Sequence, residues 1–360
     1  MKRAVICASR PQDYIDQLDH YSIMIVDPQA TAQRQQYLLE QADWSLLITD
    51  QGEQYKDGGN YPNEKLLWYT SGTTGDSKFC SFTQGQIDIM ASTICTAYNI
   101  TANDRYVSVM SLSHSHGQGF YWATKLAGCE VQFLTLDRMR NLPKLSPTFV
   151  TAVPGMLKII GNLDLDSLRF IRSASAALPD SLYQHLSEKF CVPVIEAFGM
   201  TEALSHCFTN PLNGEQRMGT VGLPSGIQAD IRNQQLWIRG PCVFSSDWYN
   251  TGDLARQDEL GYYRIIGRHR DQININGFKL DPVSIENQLM NALPCVDSCV
   301  IFGSNRINCL YTGDCTPAQI QQQLLQINRH CRAEIIQQVD AIPVGAGGKI
   351  SRSQLDKQYQ

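Results

Sequence analysis

Hydroxyls and glycines crowd into one run of the chain, Tyr69-Thr70-Ser71-Gly72-Thr73-Thr74-Gly75-Asp76-Ser77-Lys78. It follows the strand-like LLWYT and precedes a helical pattern after Thr83. Backbone N–H groups freed by glycine, with hydroxyls beside them, can wrap phosphates. It is not the GxxxxGK[ST] loop, because Lys78 does not directly follow Gly75 and no Ser or Thr comes after it. An ordinary Gly/Thr turn is the structural alternative. Further on, Phe198-Gly199-Met200-Thr201-Glu202 ends a strand pattern and sets a hydroxyl beside a carboxylate, a hard ligand for Mg²⁺. Thr251-Gly252-Asp253 offers a carboxylate that can accept two hydrogen bonds. Gly267-Arg268-His269-Arg270-Asp271 adds cations, and Gly347-Gly348-Lys349-Ile350-Ser351-Arg352 puts a lysine after a pliable glycine pair. Singly, each has a plain meaning: a core phenylalanine, a surface carboxylate, a turn aspartate, a solvated arginine.

Two other groupings carry weaker chemistry. Ser111-Leu112-Ser113-His114-Ser115-His116-Gly117 holds a His-X-His pair. Metal binding there would need further ligands, which the spacing does not supply; structural packing in a loop is the other reading. The 12 cysteines include no CxxC, and Cys295 and Cys299, four apart, have no second pair to complete a zinc site. The opening MKRAVICASR has only a five-residue apolar run, too short for a signal peptide, so a cytoplasmic chain with buried thiols rather than disulfides is expected. The 30 basic and 35 acidic residues give a net charge of −5 with no long basic run, which argues against nucleic acid. No apolar stretch approaches bilayer length. With 43% hydrophobic and 18% charged residues, the composition is globular.

The elements that must position these residues follow from pattern. Strand candidates are 22–26, 45–49, 66–70, 106–112, 130–134, 149–153, 169–175 and 192–199, with helices at 31–42 and 179–190 between them. This alternation predicts an α/β architecture with a largely parallel sheet. The polar stretch 51–65 is expected to be a loop. After Gly219 the texture turns β-rich, with hairpin turns at Asn233-Gln234 and Gly261. Past Asp271 come a helix at 281–293, paired strands and a helix at 316–331. The expected division is a large α/β domain at 1–270, with a β-rich subdomain at about 219–270, and a mobile α+β domain at 271–360.

The five motifs, in this order, resemble those of the adenylate-forming enzymes: acyl-CoA synthetases, luciferases and peptide-synthetase adenylation domains. The resemblance implies ATP, Mg²⁺ and a thiol acceptor, CoA or a phosphopantetheine arm on a carrier protein. Thr70, Ser71, Gly72, Thr73, Thr74, Gly75 and Lys78 would hold the β- and γ-phosphates. Thr201 would bond the α-phosphate and Glu202 would hold Mg²⁺. Phe198, where the family usually has tyrosine, and Gly199 would lie against adenine, as would Ser175 and Ala176 within residues 173–177. Asp253 and Arg268 would take the ribose. Lys349 would stabilise charge between carboxylate and α-phosphate, Asp271 would be the hinge of the C-terminal domain, and Gly277 would admit the pantetheine arm.

His114 stands where amino-acid-activating relatives carry an aspartate, so the resemblance points to acyl- and aryl-CoA ligases. Ser77 and Phe79 replace the usual proline and glycine. Only 68 residues precede Tyr69, fewer than in relatives, which predicts a shortened front and a partner at residues 1–49, either a second copy or a companion protein. The expected activity is an ATP-dependent acyl- or aryl-acid ligase forming an adenylate and then a thioester. The alternative is a binding protein that keeps the fold and serves a carrier protein or companion enzyme.

Overall fold

The computed structural model describes residues 1–70, 78–343 and 350–359. Two sheets face each other across a pair of helices. The first has strand order Gly52–Tyr55, Leu46–Thr49, Lys2–Cys7, Tyr21–Ile25, Leu66–Tyr69, Phe79–Phe82. Its centre is parallel and both its edge strands are antiparallel. The second has order Leu223–Pro224, Phe208–Thr209, Val194–Phe198, Phe170–Ser173, Phe149–Ala152, Arg105–Ser108, Glu130–Phe133, the last five running parallel. The expected sheet is therefore two sheets. Residues 1–49 supply three of the first sheet's four parallel strands, and the run AVIC is the buried core of strand Lys2–Cys7.

Helix Gln84–Tyr98 opens with a capping box between Thr83 and Gln86, and buries Ile87, Met90, Ala91, Ile94 and Tyr98 at helical spacing. It packs with helix Ser115–Ala127 between the sheets, where Ile6, Ile25 and Phe82 meet Ile94, Phe120, Tyr106 and Phe170 in one core. Tyr106, Phe149 and Phe170, on neighbouring strands, stack nearly parallel at 5.1 and 4.9 Å. On the second sheet's other face, Val107, Val150 and Ile171 pack with Leu157 and Leu186 of helices Pro154–Ile160 and Asp180–Phe190.

A four-stranded antiparallel sheet follows, Gln228–Arg232, Gln235–Arg239, Tyr249–Gln257 and Tyr263–Arg268. Asn233 and Gln234 both take positive φ, as a tight hairpin turn requires. Residues 273–336 pack a core of their own around helices Pro282–Ala292 and Pro317–Ile327.

Two expectations are corrected. Gly52–Tyr55, placed in a loop, is an exposed edge strand paired with Leu46–Thr49; Gly52 at φ +127° turns the chain back onto that strand. Cys295 and Cys315, expected as thiols, form a disulfide with Cα atoms 5.5 Å apart. Hairpin strands Val296–Phe302 and Ile307–Gly313 return the chain to that spot. Among the described residues no helix is long and apolar enough to cross a membrane.

Candidate active site

Several of the candidate residues sit where parallel strands end. In α/β folds that carboxyl edge is where ligands bind, since successive loops fan out from it. Phe170–Ser173 runs into Ser175 and Ala176, Val194–Phe198 runs into Gly199, Thr201 and Glu202, and Arg105–Ser108 leads through a turn to His114 at the start of helix Ser115–Ala127. The last two loops touch: Thr201 Oγ1 lies 3.5 Å from Ser115 Oγ.

The strand after Val194 turns sharply. Gly199 has no room for a side chain, because a Cβ there would sit 1.8 Å from the Ser205 carbonyl oxygen. Leu204 and Ser205 take left-handed backbone to bring that carbonyl in. Phe198 is half-buried and packs edge-on against Phe208 at 6.0 Å, so one flank is core while the other is open.

Glu202 is half-buried rather than a surface carboxylate. Its backbone oxygen accepts the Phe244 N–H at 2.8 Å, and its Oε1 accepts the Tyr249 hydroxyl at 3.4 Å. Lys78 Nζ donates to that same hydroxyl at 3.3 Å, with the Phe244 and Tyr249 rings 4.3 and 4.7 Å away. Tyr249 thus joins the two candidate phosphate and metal groups. Burial and the Glu202 charge push its phenol up from the ordinary range. Thr70 and Lys78 close the mouth of their loop: Thr70 N–H donates to the Lys78 carbonyl at 2.9 Å, and Lys78 N–H to Thr70 Oγ1 at 3.3 Å. Ser71, Gly72, Thr73, Thr74, Gly75 and Lys349 lie outside the described residues.

Asp253 sits on strand Tyr249–Gln257 directly opposite Arg268, which donates from Nε to its Oδ1 at 2.8 Å. The carboxylate is 2% exposed and its Oδ2 is buried with no partner. Burial pushes Asp253 up, and Arg268 pulls it back. Gly277 takes φ +88° in the turn between Ile273–Ile275 and Phe278–Leu280, with open space where a Cβ would point. Among the described residues no hydrogen bond or ion pair ties it to the strand-end cluster. Asp271 lies 3.8 Å from Arg352.

His116 resolves the His-X-His pair. Its Nε2 meets Thr151 Oγ1 at 2.6 Å and Arg172 Nη1 at 3.0 Å, and its Nδ1 meets Ser175 Oγ at 3.1 Å. Burial, then the Arg172 charge, hold it neutral. Among the described residues no His, Cys, Asp or Glu cluster is able to hold a metal by itself. Sequence reasoning missed Tyr249 and Arg172. Arg172 had a signal, the one charge inside the buried strand FIRS; Tyr249 had only its place beside Thr251-Gly252-Asp253.

Comparison with known proteins identifies the family. The AMP-binding enzyme family matches residues 62–246, just over half of the chain. An oxalate–CoA ligase of Arabidopsis thaliana is 32% identical over 298 residues, covering 69% of this chain and 58% of the relative. A sulfoacetate–CoA ligase of Cupriavidus necator is 25% identical over 336 residues, covering 81% and 66%. The chain thus spans roughly half to two thirds of the length of such relatives. ATP-bound MatB from Rhodopseudomonas palustris superposes with a TM-score of 0.87 at 19% identity, over 99% of this chain and 88% of that one, a likeness of fold. The chain belongs to the AMP-binding enzyme family, within the adenylate-forming superfamily of acyl- and aryl-CoA ligases.

Proposed function

We propose that the chain is an acid–thiol ligase, which uses ATP to form an acyl-adenylate and then passes the acyl group to CoA or a phosphopantetheine thiol. The observation that carries this is Asp253. A carboxylate 2% exposed, with one oxygen bonded to Arg268 and the other lacking any donor, is costly unless a ligand completes it. A ribose diol offers two hydroxyl donors on adjacent carbons, the complement of such a carboxylate. The residues also fit Mg²⁺: a single carboxylate, Glu202, suffices where phosphates and water fill the other positions. Lys78 would meet the leaving phosphates, and Thr201 the α-phosphate. Lys349 would offset charge where the acid's carboxylate attacks phosphorus. The nucleotide would supply the activated phosphorus, and the chain would position and neutralise the partners. Asp271 would be the hinge about which residues 271–360 turn between the two half-reactions, with Gly277 beside the thiol.

Calorimetry and pyrophosphate exchange test the reading. The chain should bind Mg·ATP, and Asp253→Ala should weaken binding about 10- to 100-fold, the worth of a lost charge-assisted hydrogen bond or two. Lys349→Ala should abolish acid-dependent exchange while sparing thioester formation from a supplied acyl-adenylate. Asp271→Pro should do the reverse. A chain that binds no Mg·ATP would sink the proposal.

A further inference from the structure

Arg172 is 1% exposed and lies in the middle of the strand-end region. Buried guanidinium groups in folded chains are expected to have a carboxylate, because an isolated internal charge is expensive. Arg3 has Glu64 and Arg169 has Asp104. Among the described residues no ion pair joins Arg172 to an acid. Its neighbours are neutral: Nε donates to the Tyr98 hydroxyl at 2.8 Å, and Nη1 donates to Thr151 Oγ1 at 3.1 Å and to His116 Nε2 at 3.0 Å. The Phe120 ring lies 4.9 Å away.

The direction of these bonds can be worked out. An arginine has no acceptor, so His116 Nε2 must accept. The proton of neutral His116 is then on Nδ1, which donates to Ser175 Oγ at 3.1 Å. Ser175 Oγ, having accepted, keeps its own proton to give. Ser175 is exposed, and its φ of +74° is a strained backbone that aims it off the strand end. The polar chain from Arg172 through His116 therefore points one way, from an uncompensated buried cation to an exposed hydroxyl proton at the strand end. Such a terminus attracts an anion and repels a cation.

We propose that Ser175, polarised by His116 and Arg172, is a subsite for a second anionic group on the acid that is activated, a carboxylate or a sulfonate. This rests on the acid-ligase reading above. One acidic group of the substrate would meet the α-phosphorus, and the other would accept from Ser175. Arg172 acts through His116 as a positioning residue, and its charge offsets that of the bound anion across the buried chain. The substrate class is a short acid with two anionic ends.

Malonate and propionate have the same carbon count but differ by one carboxylate, which makes them the probes. Titration calorimetry on the full chain with each acid, in the presence of AMP, needs no turnover. The chain should bind malonate at least tenfold more tightly than propionate. Ser175→Ala, compared at AMP concentrations that saturate each protein, should lower that ratio several-fold. Arg172→Met should abolish the ratio, and Arg172→Lys should restore part of it. A merely structural role for Arg172 would weaken both acids together. A chain that prefers propionate, or a Ser175→Ala variant that keeps the full malonate preference, overturns the subsite. Tight, Ser175-dependent malonate binding without pyrophosphate exchange would uphold the subsite and remove the ligase reading instead.

Discussion

Arg352 is half-buried and Arg172 fully buried, and the fold meets these two guanidinium groups in opposite ways. Arg352 donates to both oxygens of Glu286 at 2.6 and 2.7 Å and to the Ile301 carbonyl at 3.0 Å. That pair rivets helix Pro282–Ala292 to strand Val296–Phe302 and to the terminal helix Arg352–Gln358. Its hydrogen bonding is closed within the protein. Elsewhere it is left open: among the described residues Arg172 on the second sheet has no acid, Asp253 on the four-stranded sheet keeps an unbonded Oδ2 and Glu196 an unbonded Oε2. The difference separates a charge used to hold elements together from charges available to a ligand.

Three measurements sharpen or break that contrast. The largest effect is expected from Glu286→Ala, which strands Arg352 and should cost about 3–5 kcal/mol in urea unfolding. Next is Glu196, whose carboxyl burial pushes up to about 7. The folded state holds its proton where the unfolded chain, with an ordinary carboxyl near 4.5, has lost it. Its contribution to stability should therefore fall as pH rises from about 4.5 to 7 and be level above. Relative to Glu196→Gln, the wild type should lose on the order of 3 kcal/mol across that window. A flat difference between the two proteins would show the acid to be paired after all. The smallest effect is expected from Arg172→Met, at about 1–3 kcal/mol, since it strands only neutral partners. If Arg172→Met costs as much as Glu286→Ala, Arg172 holds the fold together as Arg352 does and the contrast fails.

The motif order made the family legible, because Thr201, Glu202, Asp253 and Arg268 belong to short runs with fixed neighbours. Alternation of strands with helices at 31–42 and 179–190 gave the α/β class, confirmed by Ala32–Ala42 and Asp180–Phe190. That there are two sheets was not legible, since strand–helix alternation does not say which strands share a sheet. Helix Ser115–Ala127 was hidden by Gly117 and Gly119, poor helix formers that close packing tolerates. Tyr249 and Arg172 escaped because their importance lies in partners more than forty residues away, Glu202 and Lys78 for one, His116 for the other. Local pattern carries no information on such pairings.

The backbone-to-backbone fit at Gly199 bears on how this chain can change over generations. With the Ser205 carbonyl where a methyl would go, position 199 admits glycine and nothing larger unless residues 204 and 205 are rebuilt together. In a saturation-mutagenesis library it should stand out as an invariant point, while Ser175, exposed on the next strand end, tolerates exchange. New substrate preferences would therefore arise at 175 and its neighbours, with the turn at 199 as the fixed frame around which they vary.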